Sequence, residues 1–230
     1  KNEEMIYFFY KDDKEEKFLG FGEDIFEEIE KASLQCNSVC LDRLCNYSLV
    51  KSPTVFSKEL KKTVALLKQR KGLRLVIPFF DENKISKEEV RYALEFFSDY
   101  DQFLQEKEIH FSLEIDLPAE KIKEEFNKFD FKNIGVCYDL GNNTGQSRDL
   151  YREINILKKY INHVHVKDKA EGRNIRIRPD LERIKEAFRS LKEISYGGVL
   201  ILETCISPNP FEEAKTNLTT VKNYINKTNL

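Results

Sequence analysis

Ser112-Leu-Glu-Ile-Asp116 sets polar side chains at every second position of an otherwise aliphatic run, and that alternation decides how the chain is read. Successive strand residues face opposite sides of a sheet, so Ser112, Glu114 and Asp116 share one face while Phe111, Leu113 and Ile115 share the other. An apolar outer face and a polar inner face suit a strand of an α/β barrel, which packs on helices outside and carries its chemistry on the inner rim. The same parity recurs along the chain. Asp139 aligns with Gly135 and Cys137, His163 with His165 and Lys167, and Glu203 with Ile201 and Val199.

Short β-rich runs alternate with longer amphipathic stretches, the pattern of βα units around a parallel sheet. Seven strands are expected, at Ile6–Tyr10, Cys36–Leu41, Leu73–Phe79, His110–Ile115, Ile134–Asp139, His163–Val166 and Val199–Glu203. Ser86-Lys-Glu-Glu89 resembles a capping box, and Pro53, Pro118, Pro179 and Pro210 each fit a first helical turn. Ile184, Phe188 and Leu191 form one helical stripe, and Phe211, Ala214, Leu218 and Val221 another. Because eight strands close a filled barrel, the expected fold is α/β, a (β/α)8-type TIM barrel whose first strand is missing or truncated in this chain. Residues 1–230 are read as one domain. An open edge beside Ile6–Tyr10 would need covering, and homo-oligomerisation is one way to cover it.

Composition removes several function classes. A net charge of −2 with 34% charged residues gives no basic excess for a nucleic-acid backbone. No apolar run approaches the roughly 20 residues of a membrane span, so no membrane partner is expected. The five cysteines lack the paired spacing of a zinc knuckle, and Cys36, Cys40, Cys137 and Cys205 read as reduced thiols of a cytoplasmic protein.

Four of the strand-like runs end on metal-competent side chains, Glu114, Asp139, His165 and Glu203. Glu114 and Glu203 lie among aliphatic residues, where an unpaired charge is costly and a cation compensates it. An oxygen-rich set with one imidazole suits Mn²⁺, Mg²⁺, Co²⁺ or Zn²⁺. Asp139 also fits a helix cap beside Gly141, and His165 a satisfied core histidine. Lys167 is either a strand-end cation or a group that binds a substrate oxygen. Arg173, Arg176 and Arg178 fit either an anion clamp over the barrel mouth or a solvated basic loop. Asn142-Asn-Thr-Gly145 reads as a turn first and a substrate contact second.

At these residues the chain resembles the xylose-isomerase-like barrel superfamily of sugar isomerases and epimerases. Ser38-Val-Cys-Leu-Asp42, Val76-Ile-Pro-Phe-Phe-Asp81, Tyr138-Asp-Leu-Gly-Asn142, His163-Val-His-Val-Lys-Asp168 and Gly197-Gly-Val-Leu-Ile-Leu-Glu203 follow in the family's order. The resemblance implies that Glu114, Asp139, His165 and Glu203 bind a divalent metal ion. It makes Glu114 and Glu203, with Lys167, the catalytic groups of a sugar or sugar phosphate isomerase or epimerase working through an enediolate. Asn142, His163 and Arg173 are then the expected substrate contacts. Three positions depart from the family: Asn142 stands where many members have His, Arg173–Arg178 replaces a glycine-rich turn, and Tyr7 stands where a Glu is expected. A polyol dehydratase of the same superfamily and a non-catalytic sugar-binding barrel are the alternatives.

Overall fold

The computed structural model describes residues 29–33, 35–67, 71–144, 148–204 and 208–228. Its main sheet has six strands, all parallel: β1 (Ser38–Cys40), β2 (Arg74–Pro78), β3 (His110–Glu114), β4 (Ile134–Asp139), β5 (Ile161–Val166) and, last in the chain, β8 (Val199–Leu202). Each strand pairs with its predecessor in the sheet, so the order never reverses. A doubly wound sheet would reverse at a switch point. Single winding is the arrangement of a (β/α)8-type TIM barrel, and all six strands match expected ones to within two residues at either end. The strand expected at Ile6–Tyr10, with Tyr7, lies outside the described residues.

Between strands run α1 (Pro53–Leu67), α2 (Val90–Lys107), α3 (Ala119–Phe126), the short α4 (Leu140–Thr144) and α5 (Leu150–Leu157). α6 (Glu182–Glu193) precedes β8, and α7 (Pro210–Thr228) follows it. Pro53 and Pro210 open their helices, and Pro118 is the cap of α3. Pro179 does not fit: a turn with Asp180 at φ 63° intervenes, and α6 starts only at Glu182. The Glu89 carboxylate accepts the Ser86 N–H at 2.7 Å, which is half of the expected capping box, and α2 begins just after it.

The outward faces of the strands and the inward faces of the helices share one aromatic core. Phe111 of β3 meets Phe97 of α2 edge to face at 5.7 Å between centroids, and Phe97 meets Phe79 at 6.2 Å. Truncating one such fully buried Phe to Ala would cost about 3–5 kcal/mol. On α6 the stripe Ile184, Phe188 and Leu191 is fully buried. On α7 Val221 of the expected stripe is buried and Leu218 packs against the core, but Phe211 is 73% exposed, and Glu213, Asn217 and Tyr224 are buried as well. The buried polar pair is satisfied there, because Arg176 grips the Glu213 carboxylate and Asn217 Oδ1 accepts the Ile177 N–H at 2.8 Å.

After β5 the chain makes an antiparallel hairpin that was not expected, β6 (Asp168–Ala170) with β7 (Arg173–Ile175). Its two-residue turn, Glu171-Gly172, has both φ angles positive, 51° and 77°, as the tight turn that matches strand twist requires.

Candidate functional site

Four strand ends deliver the site. Glu114 closes β3, Asp139 closes β4, His165 lies one residue before the end of β5, and Glu203 directly follows β8. The ladder fixes their heights: Asp139 stands opposite His165, and His165 opposite Ile201. One further rung, Glu203 N–H to Val166 O at 3.1 Å, holds Glu203 at the rim.

His165 Nδ1 is where they meet. It lies 3.1 Å from Glu203 Oε2, 3.6 Å from Asp139 Oδ2 and 3.7 Å from Glu114 Oε2, yet forms no aligned hydrogen bond among the described residues. Glu114, Asp139 and His165 are buried, whereas the Glu203 side chain is 43% exposed, so the cluster opens to solvent on that side.

Lys167 reaches in beside them, its Nζ 2.5 Å from Asp139 Oδ2 and 2.9 Å from Glu203 Oε2. Gly141 makes room for it, since a Cβ there would overlap Lys167 Cγ. Asp139 turns its other oxygen to the backbone, where Oδ1 accepts the N–H groups of Gly141 and Asn142 at 2.7 Å each. Asp139 is therefore a cap of α4 and a member of the cluster at once. Asn142 Nδ2 donates to Glu114 Oε1 at 3.0 Å, and its Oδ1 accepts from Lys169 Nζ at 2.5 Å.

Charge in this cluster is unbalanced, with three carboxylates against one ammonium and one imidazole. Burial pushes Glu114 up to about 7, only partly offset by His165. Burial would raise Asp139 too, but Lys167 and His165 outweigh it and hold that carboxyl far below its usual value. The same two neighbours overcome burial at Glu203 and lower it to about 2. Burial would lower Lys167 and His165; the carboxylates outweigh it at Lys167, Cys137 followed by Glu114 and Asp139 outweigh it at His165, and both sit above their ordinary values. One donor atom from each of Glu114, Asp139 and His165 lies within 4.8 Å of the others, a set able to hold a divalent cation.

Three expected positions come out differently. His163 has no exposed surface and stands one layer below His165, its Nε2 3.4 Å from Ser38 Oγ, which removes it from substrate contact. Arg176 and Arg178 do not form an anion clamp over the mouth: their side chains stay largely exposed, while Arg176 binds Glu213 and Arg178 binds Asp168. Arg173 is exposed at the start of β7. Lys169 escaped the sequence reading; it sits on the hairpin beyond Lys167, and only its position two residues further along the same parity hinted at it.

Residues 24–224 match the family described as Xylose isomerase-like TIM barrel, and the chain belongs to that family. Among solved structures it is similar to a D-tagatose 3-epimerase-like protein, with TM-score 0.69, 17% identity, and 90% of this chain and 82% of that one covered. An L-ribulose 3-epimerase gives TM-score 0.69 at 12% identity, covering 90% and 80%. A xylose isomerase-like TIM barrel protein from Mycobacterium smegmatis in complex with magnesium gives 0.67 at 15%, also covering 90% and 80%. No curated protein matches by sequence. Among the described residues no helix is long and apolar enough to cross a membrane.

Proposed function

We propose that this chain is a divalent-metal-dependent sugar or sugar phosphate isomerase or epimerase that moves a proton at the carbon beside the sugar carbonyl. The observation that carries the reading is the convergence of Glu203, Asp139 and Glu114 on His165 Nδ1 at 3.1, 3.6 and 3.7 Å. The names of the similar structures support it: one is an allulose 3-epimerase in complex with D-allulose, and another is a complex with magnesium.

Glu114, Asp139, His165 and Glu203 would hold the ion, Mn²⁺, Mg²⁺, Co²⁺ or Zn²⁺, which supplies polarisation of the substrate carbonyl and its neighbouring hydroxyl. The unaligned, buried His165 Nδ1 among three carboxylates fits such an ion. Glu203, on the solvent side, takes the proton from carbon, and Glu114 returns one from its own side through an enediolate. A proton that leaves by one carboxylate and returns by the other gives epimerisation. Lys167 keeps Glu203 ionised and offers positive charge to the developing oxyanion. Asn142 and Arg173 are the proposed substrate contacts at the mouth. The reading takes residues 1–230 as one barrel domain acting in the cytoplasm on a small sugar.

Deuterium wash-in from solvent at the carbon next to the carbonyl, with added metal, tests it. Glu203→Gln should slow exchange by about 10²–10⁴-fold with the fold intact. Equal exchange by wild type and variant would remove Glu203 from the chemistry. Absence of exchange by wild type on every ketose and aldose tried would overturn the isomerase reading.

A further inference from the structure

Below the carboxylates lies a second group of donors, two of which the sugar chemistry does not use. Cys137 of β4 stands opposite His163 of β5 on the inner face of the sheet. One ligand atom from each of Cys137, His163 and His165 lies within 4.8 Å of the others, and all three residues are buried. The two imidazole rings meet edge to face at 5.1 Å. His163 Nε2 approaches Ser38 Oγ at 3.4 Å, but among the described residues its buried Nδ1 has no hydrogen-bond partner, and neither has the buried Ser112 Oγ on the inner face of β3. Buried polar atoms without partners are uncommon, and two of them pointing inward call for an occupant.

We infer that Cys137, His163 and His165 form a second cation site, for a thiophilic ion such as Zn²⁺ or Co²⁺, directly beneath the oxygen-rich one. A thiolate with two imidazoles favours zinc-like ions over Mg²⁺, whereas carboxylates accept Mg²⁺ and Mn²⁺ readily. The barrel thus sorts ions by depth, with hard ions at the rim and thiophilic ions one layer down. Because His165 belongs to both groups, filling the lower one alters the donors left for the upper. Binding breaks the Cys137 S–H bond and displaces the proton on the ligating nitrogen of His165, as sulfur–metal and nitrogen–metal bonds form; the protons pass to solvent and nothing is oxidised. The inference depends on the proposed function only in that shared histidine.

The test is titration of the metal-free full chain with Co²⁺, watching the near-ultraviolet sulfur-to-cobalt charge-transfer band and the protons released. The band should appear in wild type with protons released as the ion binds, persist in Cys40→Ser and Glu114→Gln, vanish in Cys137→Ser and need at least about tenfold more Co²⁺ in His163→Gln. Cobalt-edge X-ray absorption on unmutated protein supplies a check that no variant's folding can spoil, and it should find sulfur among the cobalt ligands. Visible cobalt bands without the sulfur band, a sulfur band that survives in Cys137→Ser, or a cobalt shell lacking sulfur would each overturn the second site. None of these outcomes depends on sugar turnover, so failure of the proposed function would be seen separately in the deuterium exchange.

Discussion

Lys167 and Asp168 are neighbours in sequence and enter two opposite electrostatic worlds. Asp168 is fully buried, yet its carboxylate is completely answered: Arg178 Nε and Nη2 donate at 2.7 and 2.9 Å, Arg183 Nη2 at 3.0 Å and the Arg178 backbone N–H at 3.3 Å. One residue earlier, Lys167 serves Asp139 and Glu203 together while Glu114 waits close by with a pKa raised to about 7. A buried carboxylate that is fully matched is costly to disrupt, because removing one partner strands the others' charge in the interior. One left short of positive charge burdens the fold and is available to an ion and a substrate.

Breaking the matched region should show the largest effect on stability. Asp168→Asn should lower unfolding free energy by about 2 kcal/mol in urea titrations near neutral pH, because it removes charge-assisted bonds from two arginines. The sign with pH follows from the direction of its shift. Although burial alone would raise it, the Arg178 bonds hold Asp168 below the ordinary value of 3.8. Its contribution is therefore full above that value and disappears as pH falls through the lower, folded-state pKa, so variant and wild type should converge in acid. In metal-free protein Glu114→Gln should act in the opposite sense and raise stability by about 1 kcal/mol, since it relieves an incompletely matched charge. If both substitutions destabilise equally, the contrast between the two regions is wrong.

Gly141→Ala sharpens the comparison from the other side. The new Cβ displaces Lys167 from its place between Asp139 and Glu203, so we expect a loss of about 1–2 kcal/mol in the melt and a larger loss in exchange activity. An unchanged melt and unchanged exchange would mean that Lys167 is not held by that contact. The smallest effect belongs to Arg173→Ala. Arg173 is exposed, so stability should change by less than about 0.5 kcal/mol, and KM should rise for a phosphorylated sugar but not for a free one. Equal KM values for both substrates in both proteins would remove Arg173 from substrate contact.

The matched and unmatched regions were not equally legible in the sequence. Strand alternation placed Glu114, Asp139, His165 and Glu203 on one inner face because period-two patterning survives wherever the outer face is uniformly apolar. The hairpin after β5 left no such trace: its Glu171-Gly172 turn lacks the Asn-Gly or Asp-Gly signature, and its strands are polar and short. Nor could the roles of Arg176 and Arg178 be read locally, since their partners are Glu213, 37 residues away, and Asp168, 10 residues away across a turn. On α7 the same ion pair brings polar side chains into the buried face beside Val221 and Leu218. Glu213 and Asn217 are buried because Arg176 and the Ile177 N–H satisfy them, and Phe211 is left facing solvent. Hydropathy reads side chains one at a time, so it fails where burial depends on a distant partner.

The central claim is that four strand ends form one cation site, and a crystal soaked in Mn²⁺ tests it most directly. Anomalous difference density should show one ion among Glu114, Asp139, His165 and Glu203, at about 2.0–2.3 Å from a donor atom of each. Saturating Mn²⁺ with no peak there, or a peak bound elsewhere with Lys167 Nζ still between Asp139 and Glu203, would contradict it.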